Sequence, residues 1–196
     1  MAGIKATQVY LPTPDQSKTV GAVATAPIGT TKPTSAGSTL PAAWTTGGYI
    51  DENGLSMSIS KSTTLIKDWS QSVVRKAISD YDGTLSLSFL QMDEFAAETL
   101  FGSANVTVTA ATLGHGEQIE IGIGPDMPPI QAFCFSMKDG DARIRVYVPQ
   151  GQVTETGDVS FVPGAGNVYP CTISTYDDGT GHSIYVMYDD GVVLSS

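Results

Sequence analysis

The chain has 196 residues, 41% of them hydrophobic, which is enough for one sizeable core. Ten Lys and Arg stand against twenty Asp and Glu, so the formal net charge is −10. The basic residues are scattered, with Arg75 and Lys76 the closest approach to a cluster, which argues against tight binding to nucleic-acid phosphates. No run approaches the roughly 20 consecutive apolar residues of a membrane-spanning helix. The N-terminus lacks the charged-then-apolar order of a secretory signal, so we expect the chain to stay where it is made.

Residues 12–46 form a segment rich in Pro, Gly, Ala, Ser and Thr, with only three charged residues. Such a composition buries little apolar surface, so we predict a flexible N-terminal arm over residues 1–46 and a β-barrel domain over residues 47–196. The arm is either a disordered tail or a strap that orders against a neighbouring subunit, and the sequence leaves both interpretations open.

A first hairpin is predicted around Asn53-Gly54, because this dipeptide supplies the positive φ values of a type I′ turn. After the turn, Leu55, Met57 and Ile59 alternate with serines, as expected of a strand with one apolar face.

A longer hairpin follows, in which two β-prone runs flank the polar break 67–71 and Trp69 lies near the tip. Asp82-Gly83 predicts a further turn. This turn leads into residues 84–90, whose strict alternation indicates a half-buried antiparallel strand.

One short helix is predicted over residues 92–100. Asp93 and Glu94 suit the N-terminal end of a helix, and Gly102 is placed to end it in a left-handed conformation. Strand-like runs follow: NVTVTAATL, EQIEIGI, IQAFCFSMK, ARIRVYV, QVTETGDVSFV, YPCTIST and HSIYVMY, with turns such as Asp139-Gly140, Asp178-Gly179 and Asp190-Gly191. Short strands at this spacing predict an all-β fold with one short helix, an antiparallel β-barrel or sandwich.

The sequence offers little chemistry. His115 and His182 each lie in a glycine-rich turn without the local ligand spacing of a metal site. The aspartates that invite a calcium interpretation are Asp80, Asp82, Asp177, Asp178, Asp189 and Asp190; they lack a closing Glu, and we interpret them as turn residues. No Ser or Cys has a base nearby in sequence, and GIGP at 122–125 is too short for a phosphate loop. We therefore expect no cofactor, no metal and no enzymatic activity.

Two cysteines, Cys134 and Cys171, lie in strand-like runs. We expect both to be small buried hydrophobic residues, while a disulfide between them is left open by the sequence.

The order of these elements carries a resemblance. Its features are Gly48-Tyr49-Ile50, the turn before Gly54-Leu55, the Lys67-Asp68-Trp69 hairpin, Val74-Arg75, the strand 85–90, the helix ending at Leu100-Phe101-Gly102, and the closing segments 143–149, 152–155 and 183–188. In this order, residues 40–196 resemble the major tail tube protein of long-tailed bacteriophages, especially those of actinobacterial phages. Related folds occur in the tubes of contractile tails and of type VI secretion systems.

The resemblance implies a structural virion protein of the phage tail. In this family six subunits form a ring, and rings stack into a self-assembled tube through which the genome is ejected, with DNA passing the lumen without specific binding. Inner strands of all six subunits join into one barrel that lines the channel. The implied partners are further copies of the chain, a tape measure protein during assembly, and the tail tip and tail terminator proteins. Assembly would take place in the cytoplasm of the host bacterium.

Two sets of candidate site residues follow. The hairpin end provides candidate inter-ring contacts, namely Lys61, Lys67, Asp68, Trp69, Gln71 and Arg75. Acidic residues on strand-like segments are candidates for the lumen, namely Glu117, Glu120, Glu155 and Asp158. Trp69 either contacts the next ring or folds back on its own core, and each acidic residue faces either the lumen or outer solvent.

Two other functions stay open at this point. A monomeric β-sandwich binding module, such as a fibre or adhesin domain, explains the strands and turns equally well. An enzyme with residues gathered from distant loops is the third. Solution mass separates the tail tube subunit from the monomeric module, because rings or tubes are large and a single subunit has a mass of 20.5 kDa.

Overall fold

The computed structural model describes residues 8–16 and 21–193, which are mostly β-structure. The strands are β1 (Thr13–Pro14), β2 (Val23–Pro27), β3 (Thr45–Gly47), β4 (Ser56–Lys67), β5 (Val73–Phe89), β6 (Val106–Thr109), β7 (Gln118–Ile121), β8 (Gln131–Asp139), β9 (Ala142–Thr156), β10 (Tyr169–Thr175) and β11 (Tyr185–Asp189). One α-helix, α1 (Glu94–Phe101), is followed by a 3-10 turn at Ser103–Asn105. The predicted all-β class with one short helix is confirmed.

Nine strands form one antiparallel sheet in the order β3-β2-β8-β9-β10-β5-β4, with β1 added to β8 and β11 added to β9. β6 and β7 form a separate two-stranded ribbon, which packs beside α1. The main sheet is open, because its path ends at β3 on one side and at β4 on the other. The single subunit is therefore not a closed barrel, and its architecture is consistent with a sandwich.

Alternating side chains give the sheet two buried faces. The larger core lies on the face covered by α1 and contains Val23, Leu85, Leu87, Phe89, Ala96, Leu100, Phe133, Phe135, Val146, Val148, Val153, Cys171 and Ile173. The smaller core lies on the other face and contains Ala24, Ala26, Trp44, Ala132, Cys134 and Tyr147. The predicted burial of Leu85, Leu87 and Phe89 on one face of β5 is confirmed.

The ends of α1 follow the sequence signals. Asp93 is the N-cap, and its Oδ1 accepts a hydrogen bond from the Ala96 amide over 2.8 Å. Gly102 ends the helix with a φ of 83°, and its amide donates to the Glu98 carbonyl over 2.8 Å. Both features confirm the prediction, and they hold the apolar side of α1 against the larger core.

The predicted flexible arm is wrong for the part of it that enters the sheet. β2 pairs with β3 on one side and β8 on the other. Val23 and Ala24 are 0% and 2% exposed, and Trp44 is 7% exposed. Val23 packs into the larger core and Ala24 into the smaller one, because successive side chains of a strand point to opposite faces. Small side chains suffice there because the neighbouring elements pack closely, which composition alone did not indicate. Residues 1–7 and 17–20 of the predicted arm lie outside the described residues.

The two dipeptide turns predicted before residue 84 differ from the structure. Gly54 has a φ of 65° and closes a turn with Asp51, but Ile50 and Ser56 on either side both pair with β5, so no hairpin forms there. Asp82-Gly83 is not a turn, because β5 runs unbroken through it. Asp80 and Asp82 therefore lie within a strand, and their interpretation as turn residues is wrong.

β9 joins two runs that the sequence separates. The segments ARIRVYV and QVTETGDVSFV were predicted as different strands, yet Ala142–Thr156 is one strand. Its register with β8 shifts between Phe133 and Gln131, opposite Pro149. A bulge of this kind accommodates a proline that has no amide hydrogen for the ladder, so the strand bends without ending.

Candidate assembly surface

A long hairpin made of β4 and β5 extends from the edge of the sheet. Its pairing runs from Ser56 opposite Ser86 to Lys67 opposite Val73. Every residue of β4 is exposed, and so is nearly all of β5 before Gly83. The predicted long hairpin is confirmed, and its outer part projects away from both cores.

The hairpin turn is held by Asp68. Its Oδ1 accepts hydrogen bonds from the Ser70 hydroxyl and the Ser72 amide, each over 2.8 Å. The Asp68 amide donates to the Ser72 carbonyl over 2.9 Å, and Gln71 adopts a positive φ of 67°. The hydrogen bond from Ser70, followed by that from Ser72, lowers the pKa of Asp68. Asp68 thus shapes the turn that presents its neighbour Trp69.

Trp69 is 101% exposed at this tip. Its indole therefore does not fold back on the core of its own subunit. A fully exposed tryptophan at the end of a rigid projection is an unusual use of a large apolar surface, and interfaces are where such residues contribute most.

Basic residues that look scattered in the sequence come together along the hairpin. Lys61, Lys67, Arg75 and Lys76 all lie on its two strands. Leu65 pairs with Lys76 and Ile66 with Arg75, which places these two cations close to the turn. Lys61 lies nearer the body, with its ammonium 5.7 Å from the Tyr81 ring centroid.

The basic residues of the described part of the body are engaged within the subunit. Lys138 and Arg143 lie 3.1 Å and 3.6 Å from the carboxylate of Asp15. Arg145 is buried, and its Nη1 donates to the carbonyls of Ser35 and Ser38 over 2.9 Å and 2.8 Å. The guanidinium thereby ties the segment before β3 to the smaller core.

The root of the hairpin is fixed to the body by two side-chain contacts. Tyr81 Oη and Ser183 Oγ lie 2.9 Å apart. Thr175 Oγ1 donates to the Gly83 carbonyl over 2.9 Å in a buried position. Glycine is needed at position 83 because a Cβ there would stand 2.6 Å from Thr175 Oγ1. The glycine that suggested a turn is instead a site of close approach.

The four acidic candidates fall on two parts of the subunit, and all are exposed. Glu120 lies in β7 opposite Thr107, and Glu117 immediately precedes that strand. Glu155 lies in β9 opposite Thr172, and Asp158 follows the strand. Their orientation toward a lumen stays a prediction.

A groove of about 280 Å³ lies beside Glu155, between the ends of β5, β9 and β10 and the turn at residues 51–54. Asp51 lines it, and its Oδ2 accepts a hydrogen bond from Asn53 Nδ2 over 2.6 Å. The other oxygen, Oδ1, is buried without a hydrogen-bond donor among the described residues. Sequence reasoning missed this groove, because it joins segments about 100 residues apart in the chain.

The loop before β11 is organised by Asp178. Tyr185 Oη donates to Asp178 Oδ2 over 2.6 Å, and the Thr180 amide donates to Oδ1 over 2.8 Å. These bonds, that of Tyr185 first, hold the pKa of Asp178 well below its usual range, and the same contact raises the pKa of Tyr185. The Lys32 ammonium lies 3.6 Å from the centroid of the Tyr185 ring. Asp178 therefore has a structural role, because its hydrogen bonds hold the conformation of this loop.

The remaining chemistry-bearing side chains have structural surroundings. His115 Nδ1 lies 2.7 Å from the Gly116 carbonyl, and the His182 ring stacks on Tyr185. Across residues 8–16 and 21–193, no three of the His, Cys, Asp and Glu side chains are grouped to hold a metal ion. No helix in that part of the chain is long and apolar enough to cross a membrane.

Cys134 and Cys171 are buried and unbridged, as expected of small hydrophobic residues. Burial raises the pKa of the Cys134 thiol to about 11 and that of Cys171 to about 12. Both thiols are thus protonated at neutral pH.

A family model described as "Phage tail tube protein" matches residues 17–194. The chain belongs to the phage tail tube protein family. No curated protein matches it in a sequence comparison. The tail tube match begins before β2, in agreement with the place of that strand in the sheet.

Membership in the tail tube family makes the chain a structural component of a bacteriophage tail, where it assembles with other tail proteins. The predicted resemblance is thereby confirmed. A structural role in the tail accounts for a well-formed fold with little visible chemistry.

Proposed function

We propose that six copies of this tail tube protein form a ring, and that rings stack into the tube through which DNA leaves the particle. The main support for this proposal is the β4–β5 hairpin, whose tip residue Trp69 is fully exposed in the single subunit. Assembly would bury this surface, since rings stacked above and below supply the missing partner. Lys61, Lys67, Asp68, Gln71 and Arg75 are proposed to contact the adjacent ring with it.

Open edges of the sheet support the ring. β3 and β4 end the sheet on opposite sides, and each leaves backbone groups of one edge without a strand partner among the described residues. Exposed edges of this kind promote uncontrolled association unless something covers them. A closed ring, in which the sheets of neighbouring copies join, would cover every edge in the same way.

The acidic composition suits passage of DNA. Six copies at −10 each carry a formal charge of −60 before cations bind. A negative lumen repels phosphates, so DNA slides without sticking. Glu117, Glu120, Glu155 and Asp158 are the candidates for this lining.

The further parts of the proposal concern the route of assembly. Rings would form around a tape measure protein in the host cytoplasm, starting at the tail tip complex and ending at the tail terminator protein. The role is structural and not enzymatic, since family membership accounts for the fold without a catalytic step.

Negative-stain electron microscopy with light scattering tests the proposal. Purified protein at high concentration, alone or with a tail tip complex, is expected to give sixfold rings or tubes with an open centre. If only 20.5 kDa monomers appear under both conditions, the tube role is contradicted and the binding-module alternative is favoured.

A further inference from the structure

We propose that the basic end of the hairpin docks into the acidic groove of a second copy of the chain, so that copies join head to tail. The inference rests on the proposed function and deepens it, because it names the receiving surface. The docking end comprises residues 65–76, and the receiving groove is the one lined by Asp51 and Glu155.

The charge of the chain is divided between these two surfaces. Residues 61–76 hold four of the ten Lys and Arg and one of the twenty acidic residues, a net charge of +3. The rest of the chain holds six basic and nineteen acidic residues, a net charge of −13. Within the described residues, Lys67, Arg75 and Lys76 have no carboxylate in ion-pair range. The hairpin therefore projects unpaired positive charge from a negative body.

The groove contains carboxylates, which the cations of the hairpin lack within their own subunit among the described residues. Asp51 Oδ1 is covered from solvent and has no hydrogen-bond donor in the described part of the chain, whereas Glu155 presents an exposed carboxylate on the adjacent wall. Glu52 and Asp158 are next to lining residues of the groove in the chain, and none of the Lys and Arg that the structure describes lines it. A guanidinium or ammonium group entering the groove would pair with the exposed carboxylate of Glu155, and a small rotation of the Asp51 carboxylate would bring its unpaired Oδ1 to the same cation. The volume of about 280 Å³ is large enough for one long basic side chain or an indole.

The fold prevents a subunit from filling its own groove. Ser86 and Ser88 of β5 line the groove, whereas Val73 begins the same strand beside the hairpin turn. Val73 and Ser88 are fifteen positions apart in the strand, a span of roughly 50 Å at about 3.3 Å per residue. The docking end of one copy must therefore reach another copy. Because the two surfaces differ, the contact is heterologous and can repeat from one copy to the next, as a stack of rings requires.

A second copy fits the hairpin better than nucleic acid does. Phosphates would pair with Lys67 and Arg75, but they would leave Asp51 Oδ1 without a donor. The charge of −13 on the remaining chain also repels a polyanion that approaches the hairpin. An acidic groove on an identical chain satisfies both surfaces at once.

Two charge-reversed variants of the full chain test the contact. One carries Lys67→Glu and Arg75→Glu on the hairpin and keeps its groove, whereas the other carries Glu155→Lys in the groove and keeps its hairpin. All the changed residues are exposed, so both variants are expected to fold. Sedimentation velocity and electron microscopy then follow assembly of each variant, of their equimolar mixture and of the unchanged protein, with Asp126→Lys, another reversal at an exposed acidic residue, as the matched control.

Each variant alone is expected to weaken stacking by at least about tenfold in concentration, and Asp126→Lys to leave it unchanged. The mixture is expected to recover stacking, because each altered surface meets its complement on the other variant. Raising NaCl from about 50 mM to about 500 mM is expected to weaken stacking of the unchanged protein. A nonspecific DNA duplex, followed by fluorescence anisotropy, is expected to bind both hairpin forms equally weakly.

The inference is overturned if the unchanged protein stacks and both variants stack equally well, or if the mixture does not recover. It is also overturned if Lys67→Glu/Arg75→Glu loses DNA binding while stacking is unaffected, which would assign the hairpin to nucleic acid. In these cases the proposed tube stands. If the unchanged protein forms no rings even with a tail tip complex, the proposed function itself fails, and the inference falls with it.

Discussion

Thr175 Oγ1 donates a hydrogen bond to the carbonyl oxygen of Gly83 over 2.9 Å, across 92 residues of chain. The contact is buried and lies where the β4–β5 hairpin leaves the body, so it fixes the direction of the projection.

Replacing Gly83 by alanine is expected to strain this root. The new Cβ would stand 2.6 Å from Thr175 Oγ1 and 3.3 Å from Ile184 Cδ1. We expect a loss of about 1–3 kcal/mol in the free energy of unfolding, measured by denaturant titration. Gly166→Ala is the control, because a Cβ there meets nothing within 4 Å. Equal stability of the two variants would contradict the close approach.

Truncating Trp69 is expected to separate assembly from folding. Because the side chain is 101% exposed, Trp69→Ala should change the free energy of unfolding by less than about 0.5 kcal/mol. Assembly should require a higher protein concentration, since an interface tryptophan commonly contributes about 2 kcal/mol or more. Light scattering across a concentration series measures the shift. Unaltered assembly would count strongly against the hairpin as a contact.

Arg145 is expected to be needed for the segment before β3. Its buried guanidinium donates to the carbonyls of Ser35 and Ser38 and to the Ser38 hydroxyl. Arg145→Met should cost about 2–4 kcal/mol in unfolding free energy, because it removes three charge-assisted hydrogen bonds donated by a buried guanidinium. Arg75→Ala is the matched control, as this arginine is exposed. Proteolysis between residues 28 and 43 should become faster in the Met variant alone.

The Tyr185–Asp178 hydrogen bond predicts a pH dependence with a definite sign. The pKa of Asp178 is lowered in the folded state, so the contact contributes stability above the unfolded pKa of about 3.9 and loses it as pH falls below that value. Tyr185→Phe keeps the ring under Lys32 and removes the hydroxyl. The variant should therefore lose less stability than the unchanged protein between about pH 5 and pH 2. Parallel stability curves for the two proteins would exclude this contribution.

Local signals were the part of the fold that the sequence predicted. The alternation of Leu85, Leu87 and Phe89, the cap at Asp93 and the stop at Gly102 each depend on neighbours in the chain, and each is confirmed. The family resemblance depended on the order of such elements, and the family match covers the same region.

Features of the fold that depend on residues distant in the chain could not be predicted from the sequence. β2 reads as part of a flexible arm because Ala24 and Ala26 are small, but small residues are what the close packing of two cores requires. Asp82-Gly83 reads as a turn until Thr175 is brought beside it. The net positive charge of residues 61–76 is present in the sequence, but only the pairing of β4 with β5 brings Lys67 near Arg75 at one end of a projection. The acidic groove likewise needs segments from distant parts of the chain.

The unbroken course of β5 sets the distance between the tip of the hairpin and the groove at its other end. If one end of this strand docks and the other end receives, the rise from one ring to the next cannot exceed roughly 50 Å, and any tilt of the strand to the tube axis shortens it. Inserting two residues into each strand of the outer hairpin keeps every side chain on its face. Such a tube should be stretched by up to about 7 Å per ring, a change that electron microscopy of the assembled tube measures directly. The length of a phage tail would then be counted in lengths of a single β-strand.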